Sequence, residues 1–372
     1  MEVVKLIEVT AIIIHARDDI KLTKKSKRLF VKRHGNLYEE FISFENMKAA
    51  IISAVKGKET RKDVKDFIDN GKEKLAELNR ILADGWVPSE YRITTIQDKG
   101  KVRTLSIAPF FPDRIIHHMI NNILEKIYYP IFIRDTYQCI KGRGTHQAIA
   151  KTSEYMAPPE NNWALKVDIS KYYPSVDNEI LKAKLKRKIK DTAFLELLDS
   201  LVDSHIGLPL GNHTSQLLGN IYLSELDHEL KSISKYYLRY ADDLVILGDK
   251  TTVITAFNAI TEYCLCNKLK LNPSTQYFNL SKRNLEFLGF RFFKYGRNGV
   301  YVKPKKIKLI PRQLNPMQKA SVYGWLKNSK SLMYLTKMFF VEINSPKKHF
   351  IHKYIRDKVI PKDKYHKLTL EA

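Results

Sequence analysis

Two adjacent aspartates, in Tyr240-Ala241-Asp242-Asp243, separate a pair of short apolar runs, Tyr236-Tyr237-Leu238 and Leu244-Val245-Ile246-Leu247. The runs read as strands, so the four residues between them predict a hairpin tip. Neighbouring carboxylates there are costly. Each raises the other's pKa, and a divalent cation held against them relieves the repulsion. An ordinary polar turn is the competing reading, because Asp suits turns for local hydrogen-bonding reasons.

A second carboxylate has matching surroundings. Trp163-Ala164-Leu165-Lys166-Val167 leads as a buried strand into Asp168, Pro174 stops the run, and the apolar and basic stretch 180–190 reads as a helix beginning near Asp177. A strand ending in Asp, beside a hairpin carrying Asp-Asp, is an arrangement that holds two Mg²⁺ ions at one phosphoryl-transfer centre. The chemistry such a centre serves is nucleotidyl transfer, in which a 3′-hydroxyl attacks a triphosphate and pyrophosphate leaves.

Five blocks follow one another along the chain: Lys99-Gly100-Lys101-Val102-Arg103-Thr104-Leu105, Pro112-Asp113-Arg114-Ile115-Ile116-His117-His118, Asp168 with its strand, Tyr240 to Asp243, and Phe287-Leu288-Gly289-Phe290. In that order and spacing they resemble the reverse transcriptase family over roughly residues 32–345. The resemblance implies an α+β chain with the right-hand polymerase fold: fingers, a palm of antiparallel sheet backed by helices, and a helical thumb. Residues 32–90 are then a helical N-terminal region, 91–165 the fingers, 166–295 the palm with the catalytic site, 296–345 the thumb and 346–372 a basic C-terminal tail. Within the first of these, apolar positions three and four apart predict helices over Phe44–Val55 and Val64–Leu82. Residues 1–31 lie outside the resemblance and read as a small strand pair or an interaction extension of unassigned role.

A narrower likeness rests on Gly207-Leu208-Pro209-Leu210-Gly211-Asn212-His213-Thr214-Ser215-Gln216, with Lys32 to Tyr38 and Thr136 to His146. Many reverse transcriptases carry Gln where this chain has Leu210, and Pro where it has Gln216. The form present here is similar to that of the reverse transcriptases of diversity-generating retroelements. That subfamily copies a template RNA into cDNA with errors at template adenines, and works with a small, basic, helical accessory protein. Retron-type or phage-defence enzymes are the nearest alternatives. A group II intron-like enzyme is disfavoured by the little sequence left after the thumb, and a catalytically inactive RNA-binding scaffold by the intact carboxylates.

The resemblance assigns roles. Asp168, Asp242 and Asp243 are the catalytic carboxylates and, with the Ile169 carbonyl, the ligands of two Mg²⁺ ions, for which Mn²⁺ substitutes. Arg103 and either Lys99 or Lys101 are placed to hold the dNTP triphosphate, Arg for its planar two-pronged donation to phosphate oxygens. Tyr173, five residues after Asp168, would collide with a 2′-hydroxyl and so select dNTPs; a core aromatic beside Pro174 is the other reading. Leu210 and Gly211 complete the dNTP side, and an apolar Leu210 removes a polar check on the nascent pair, which predicts low fidelity; simple packing of Leu210 into the palm is the other reading. Arg114, Ser215, Gln216, Tyr240, Phe287, Leu288 and Gly289 face template and primer, that is, template RNA and the RNA/cDNA hybrid. Arg114 is equally explained by an ion pair with Asp113 or by a helix-terminal contact, and Ser215 or Gln216 by capping a helix. Lys270 and Lys282 are candidate proton donors to pyrophosphate, since 271–276 has no lysine.

Composition agrees. Lys and Arg number 64 against 40 Asp and Glu, a net charge of +24 on 372 residues. An excess of this size favours a polyanion, because neutralising phosphates releases counterions. Three cysteines, Cys139, Cys264 and Cys266, supply neither a disulfide framework nor zinc-ligand spacing and fit a reducing cytoplasm. No run of 18 apolar residues predicts a membrane helix.

Overall fold

The computed structural model describes residues 32–98, 101–295 and 299–302, with a few isolated positions between 318 and 330. The extension 1–31, Lys99, the side chain of Lys101, most of the expected thumb and the basic tail lie outside the described residues.

The described chain opens with α1 (Leu37–Ile42), α2 (Phe44–Val55), α3 (Lys62–Asp69) and α4 (Gly71–Asp84). Helix α2 has the bounds its apolar spacing predicts, and the Ser43 hydroxyl caps it by accepting from the Asn46 amide. The single helix expected over 64–82 is instead two. Asn70, at φ −105° and ψ 31°, stands between α3 and α4; with Gly71 next to it, a continuous helix would carry a glycine interior cost of about 1 kcal/mol. Gly85, at φ 87°, ends α4. Strands β1 (Arg92–Asp98) and β2 (Lys101–Ile107) form a separate antiparallel hairpin in which Asp98 faces Lys101.

Helix α5 (Ile115–Tyr128) is buried along nearly its whole length and packs against α2 and against α10 (His213–Ile233). Between α5 and α10 come β3 (Thr136–Tyr137), α6 (Thr145–Met156), β4 (Trp163–Asp168), α7 (Tyr172–Ser175), α8 (Asn178–Lys186) and α9 (Thr192–Asp203). After α10 follow β5 (Tyr237–Tyr240), β6 (Asp243–Gly248), α11 (Lys250–Cys266) and β7 (Gln276–Asn279).

The main sheet has the order β3-β5-β6-β4-β7. It is antiparallel except at one edge, where the two-residue β3 runs parallel to β5, a correction to the wholly antiparallel expectation. Strand β3 and the start of β4 also come from upstream of residue 166. Alternate residues feed two cores. Leu165, Val167, Leu244 and Ile246 join α5, α10 and α11 on one face, while Ala164, Leu238, Val245 and Leu247 join α6 and a second sheet on the other. Burial on both faces explains why these strands read as near-continuous apolar runs. The second sheet consists of β8 (Leu285–Phe287), β9 (Phe290–Phe293) and β10 (Gly299–Val302), in the order β10-β9-β8. Leu288 and Gly289 turn β8 into β9 with φ of 50° and 87°. Two positive φ values are the signature of a type I′ hairpin, whose twist matches its strands.

Candidate active site

Strand β4 ends at Asp168, and β6 begins at Asp243 directly opposite it in the antiparallel register. Directly opposed residues lie on the same face of a sheet, so these two carboxylates share one side. Asp242 sits in the turn between β5 and β6, where Tyr240 pairs with Asp243 and leaves Ala241 and Asp242 as the two turn residues. Burial pushes the Asp242 carboxyl above the ordinary aspartate value, its own backbone amide pulls it back, the negative charge of Asp168 raises it further, and Arg103 and Arg239 oppose. Asp242 therefore feels both Asp168 and Arg103, although the three come from separate hairpins or strands.

The ends of β4 and the residues after it are pinned from behind. The Asp168 carbonyl accepts from the Asn272 amide at 2.8 Å, the Ser170 amide donates to the Lys270 carbonyl at 2.8 Å, and the buried Ile169 bridges to Leu271. The donor set fits a hard divalent cation in kind: anionic oxygens, at one end of the two central strands, with mutual repulsion that a cation would relieve. Among the described residues, however, no three His, Cys, Asp or Glu side chains are gathered closely enough to hold an ion. The expected set of three carboxylates is thus present on one end of the sheet without being closed into a three-ligand cage.

Tyr173 lies beneath this end, half-buried. Its ring meets Tyr172 edge-on at 5.4 Å, and both rings lie against Gly219 of α10, where a Cβ would stand 3.3 Å from one and 3.4 Å from the other. Burial first, then the charges of Cys139 and Asp242, push its phenol well above the ordinary tyrosine value. The Tyr173 carbonyl accepts from the Leu208 amide at 2.8 Å. Gly207 is forced: at φ +69° a Cβ would stand 2.5 Å from the Pro174 carbonyl oxygen.

The loop beyond Gly207 joins the first hairpin to this site. The Ser106 amide of β2 donates to the Leu210 carbonyl at 2.9 Å, the Ser106 hydroxyl meets His205 at 3.1 Å, and Asn212 donates to the Tyr91 hydroxyl at 3.1 Å. A Cβ on Gly211 would stand 3.4 Å from the Ser106 carbonyl oxygen, so the backbones approach closely there. Arg114 reaches the Gly211 carbonyl at 3.4 Å. Its expected alternative, an ion pair with Asp113, does not form, because the buried Asp113 carboxylate accepts instead from the Trp86 indole at 3.1 Å and the Ser89 amide at 3.0 Å.

Other expected residues stand apart. Ser215 is buried, lies inside α10 rather than at its cap, and spends its hydroxyl on the Pro209 carbonyl at 2.7 Å; Gln216 is exposed beside it. The Tyr240 hydroxyl meets that of Thr145 at 3.0 Å. Phe287, Leu288 and Gly289 belong to the second sheet. Lys270 and Lys282 are exposed. His118 stacks on His213 at 4.0 Å and His117 packs edge-on to Trp86 at 5.8 Å. Burial, with nearby positive charge, holds both imidazoles down at about 3.

The sequence reading passed over Arg239, Asn220 and Asp227. A signal was present: Asp227 falls on the buried stripe of α10, seven residues after Asn220, and a lone carboxylate on such a stripe calls for a buried cation.

A sequence profile described as "Reverse transcriptase (RNA-dependent DNA polymerase)" matches residues 94–292. The group II intron-encoded protein LtrA of Lactococcus lactis is 28% identical over 202 residues, 50% of this chain and 32% of its own length. Protein YkfC of Escherichia coli is 26% identical over 300 residues, 64% of this chain and 77% of its own. The chain thus spans about a third of the length of LtrA. A telomerase structure from Candida albicans, in complex with a telomeric RNA fragment, superposes with TM-score 0.49 at 12% identity, over 76% of this chain and 58% of that one. The profile match takes in most of the β1–β2 hairpin, Asp168 and the β5–β6 hairpin with its Asp242-Asp243 turn, and on that span the chain belongs to the reverse transcriptase (RNA-dependent DNA polymerase) family.

Proposed function

We propose that the chain is an RNA-directed DNA polymerase that copies a template RNA into cDNA, and that it serves a diversity-generating retroelement with errors concentrated at template adenines. The observation that carries the polymerase reading is the register that sets Asp168 opposite Asp243, with Asp242 in the adjoining turn under the influence of Asp168 and Arg103. Asp168, Asp242 and the Ile169 carbonyl would hold Mg²⁺, with Asp243 as the weaker carboxylate. Divalent ions bound there supply activation of the 3′-hydroxyl and neutralisation of the triphosphate and the leaving pyrophosphate.

The chain's own residues do the rest. Arg103, with Lys99 or Lys101, binds the triphosphate and orients it towards the carboxylates. Tyr173 closes the space a 2′-hydroxyl would need. Leu210 and Gly211 line the dNTP side, while Arg114, Gln216, Tyr240 and the Phe287-Leu288-Gly289 turn face template and primer. Fingers 91–165, palm 166–295 and thumb 296–345 belong to the same reading, as do a small basic helical accessory protein and a cytoplasmic setting. Among the described residues, no helix is long and apolar enough to cross a membrane.

The mutagenic reading draws on Leu210, an apolar side chain where an amide would test the nascent pair. A second reading, an accurate group II intron-type enzyme, is favoured by the likeness to the intron-encoded protein. Primer extension on an RNA template, with Mg²⁺ or with chelator, followed by sequencing of the product, tests both. Metal-dependent cDNA with errors opposite adenine supports the first, accurate cDNA supports the second, and no cDNA with or without a basic helical partner contradicts the polymerase reading.

A further inference from the structure

We propose that Arg239 is a positioning residue that aims Asp242, acting through the backbone of Ala241. The inference rests on the polymerase reading of the Asp242 turn.

Arg239 is fully buried, and so is Asp227, its partner on α10. Its Nε donates to Asp227 Oδ1 at 2.7 Å and its Nη2 to Asp227 Oδ2 at 2.6 Å, a two-pronged pair. Nη1 donates to Asn220 Oδ1 at 2.9 Å and to the Ala241 carbonyl at 2.8 Å. Asp227 also accepts from the Thr136 hydroxyl at 2.9 Å and the Tyr237 hydroxyl at 2.6 Å. One guanidinium therefore ties α10 and β5 to the turn that carries Asp242, and Asp227 extends the tie to β3.

Such a network is a poor device for stability alone. Desolvating two charges is costly, and a well-packed apolar pair of similar volume is often as stable or more so. What an apolar pair cannot do is hold a carbonyl oxygen. Ala241 has φ 55°, in the left-handed region where an alanine is strained. Its carbonyl oxygen and the Asp242 amide belong to one peptide plane, so fixing that oxygen fixes the plane from which the Asp242 side chain departs. The Ala241 amide, bonded at 3.4 Å to the Tyr137 carbonyl, restrains the other side of the residue. Without the Nη1 bond, the strained turn is free to relax and carry Asp242 away from Asp168.

The test compares full-length wild type with Arg239→Lys, Tyr237→Phe and Asn220→Ala. Lysine keeps a positive charge opposite Asp227 but lacks the fork that reaches Asp227, Asn220 and Ala241 together. Tyr237→Phe removes one hydrogen bond of Asp227 and leaves the Arg239 to Ala241 bond in place. Each is measured by thermal melting, by kcat and KM for dNTP on a primed RNA template, and by Mn²⁺ affinity from electron paramagnetic resonance. Positioning predicts that Arg239→Lys loses about 100-fold in kcat, the cost of misplacing a reacting group by about 1 Å. It also predicts a KM within about twofold of wild type, because ground-state binding is untouched, together with weaker Mn²⁺ binding. Tyr237→Phe keeps kcat and Mn²⁺ affinity close to wild type even where its melting temperature falls as far.

Loss of kcat in Tyr237→Phe and Arg239→Lys alike, in step with melting temperature and with Mn²⁺ affinity intact, would show a merely structural residue. If Arg239→Lys does not fold, Asn220→Ala is decisive: it removes one of the two acceptors of Nη1 and so loosens the nitrogen that holds the Ala241 carbonyl, while leaving the pair with Asp227. Positioning then predicts about a tenfold loss of kcat and weaker Mn²⁺ binding, whereas unchanged kcat and Mn²⁺ affinity overturn it. A wild type that makes no cDNA refutes the polymerase reading, and the Mn²⁺ measurement still decides the role of Arg239. An active wild type with an unaffected Arg239→Lys refutes the positioning role alone.

Discussion

The two hairpins at the site, β1–β2 and β5–β6, are built in opposite ways. The β5–β6 hairpin lies inside the main sheet, buried on both faces, with its turn held by a charged network that reaches α10. The β1–β2 hairpin is a two-stranded ribbon whose Ile93, Ile96 and Val102 are exposed, along with Arg103. It is fastened near its base, through Ser106 to Leu210 and His205 and through Tyr91 to Ser204 and Asn212. A lone ribbon is marginal in water, so its stability comes from those fastenings. On the proposed reading, the rigid hairpin carries Asp242 and Asp243, where sub-ångström placement would govern the chemical step, and the exposed one carries Arg103 to meet the triphosphate, where reach matters more than rigidity.

If that division is right, damage to the two hairpins should differ in kind. Short of the carboxylates themselves, the largest effect is expected at Tyr173, on the rigid side. Tyr173→Ala should admit rNTPs, raising their use relative to dNTPs by about two orders of magnitude, since a steric wall discriminates only while it stands; competition between matched rNTP and dNTP reads this, and unchanged exclusion would mark Tyr173 as a core ring. On the exposed hairpin, Arg103→Ala should raise KM for dNTP by about tenfold or more, the worth of a charge-assisted bond of about 1.5–3 kcal/mol, with kcat nearly kept. A fall in kcat with KM unchanged would place Arg103 in the chemical step instead.

Leu210→Gln, at the joint between the two, should lower adenine misincorporation by restoring a polar contact worth about 1 kcal/mol. An unchanged error spectrum in sequenced cDNA would leave Leu210 as packing. The smallest effect on synthesis is expected far from both hairpins, at Asp191. Burial alone would raise its carboxyl, but the amides of Tyr38, Phe194 and Leu37 outweigh burial and hold it below the ordinary aspartate value. A depressed folded pKa means that this contribution is complete above the unfolded value of about 3.9 and is lost as pH falls through the folded value. Asp191→Ala should therefore cost about 1–2 kcal/mol at neutral pH by uncapping α1 and α9, and should flatten the acid limb of the stability profile. Chemical denaturation across pH, beside kcat at neutral pH, checks both parts.

The same contrast governs what could be read from the chain. Strand β4, strand β6 and the turn between β5 and β6 were legible because local signals agree there: apolar runs, a polar tip and Pro174 after Asp168. Helix α2 was legible to the residue for the same reason. The break at Asn70-Gly71 was missed because apolar spacing continues across it, and periodicity does not register a backbone kink. The parallel edge strand β3 was missed because two residues carry no period. Arg239 and Asp227 were missed because they are 12 residues apart and meaningful only as a pair that the fold brings together. The fate of Ser215 turned on burial inside α10, which no turn or capping rule reveals.

The central claim is that the rigid turn performs the chemistry while the exposed hairpin only holds the nucleotide. Single-turnover incorporation of one dNTP on a primed RNA template, followed over rising dNTP for wild type, Asp242→Ala and Arg103→Ala, tests it most directly. The account predicts that Asp242→Ala binds RNA yet makes no product at any dNTP concentration, whereas Arg103→Ala approaches the wild-type rate at saturation. Extension by Asp242→Ala at a rate near wild type would contradict it.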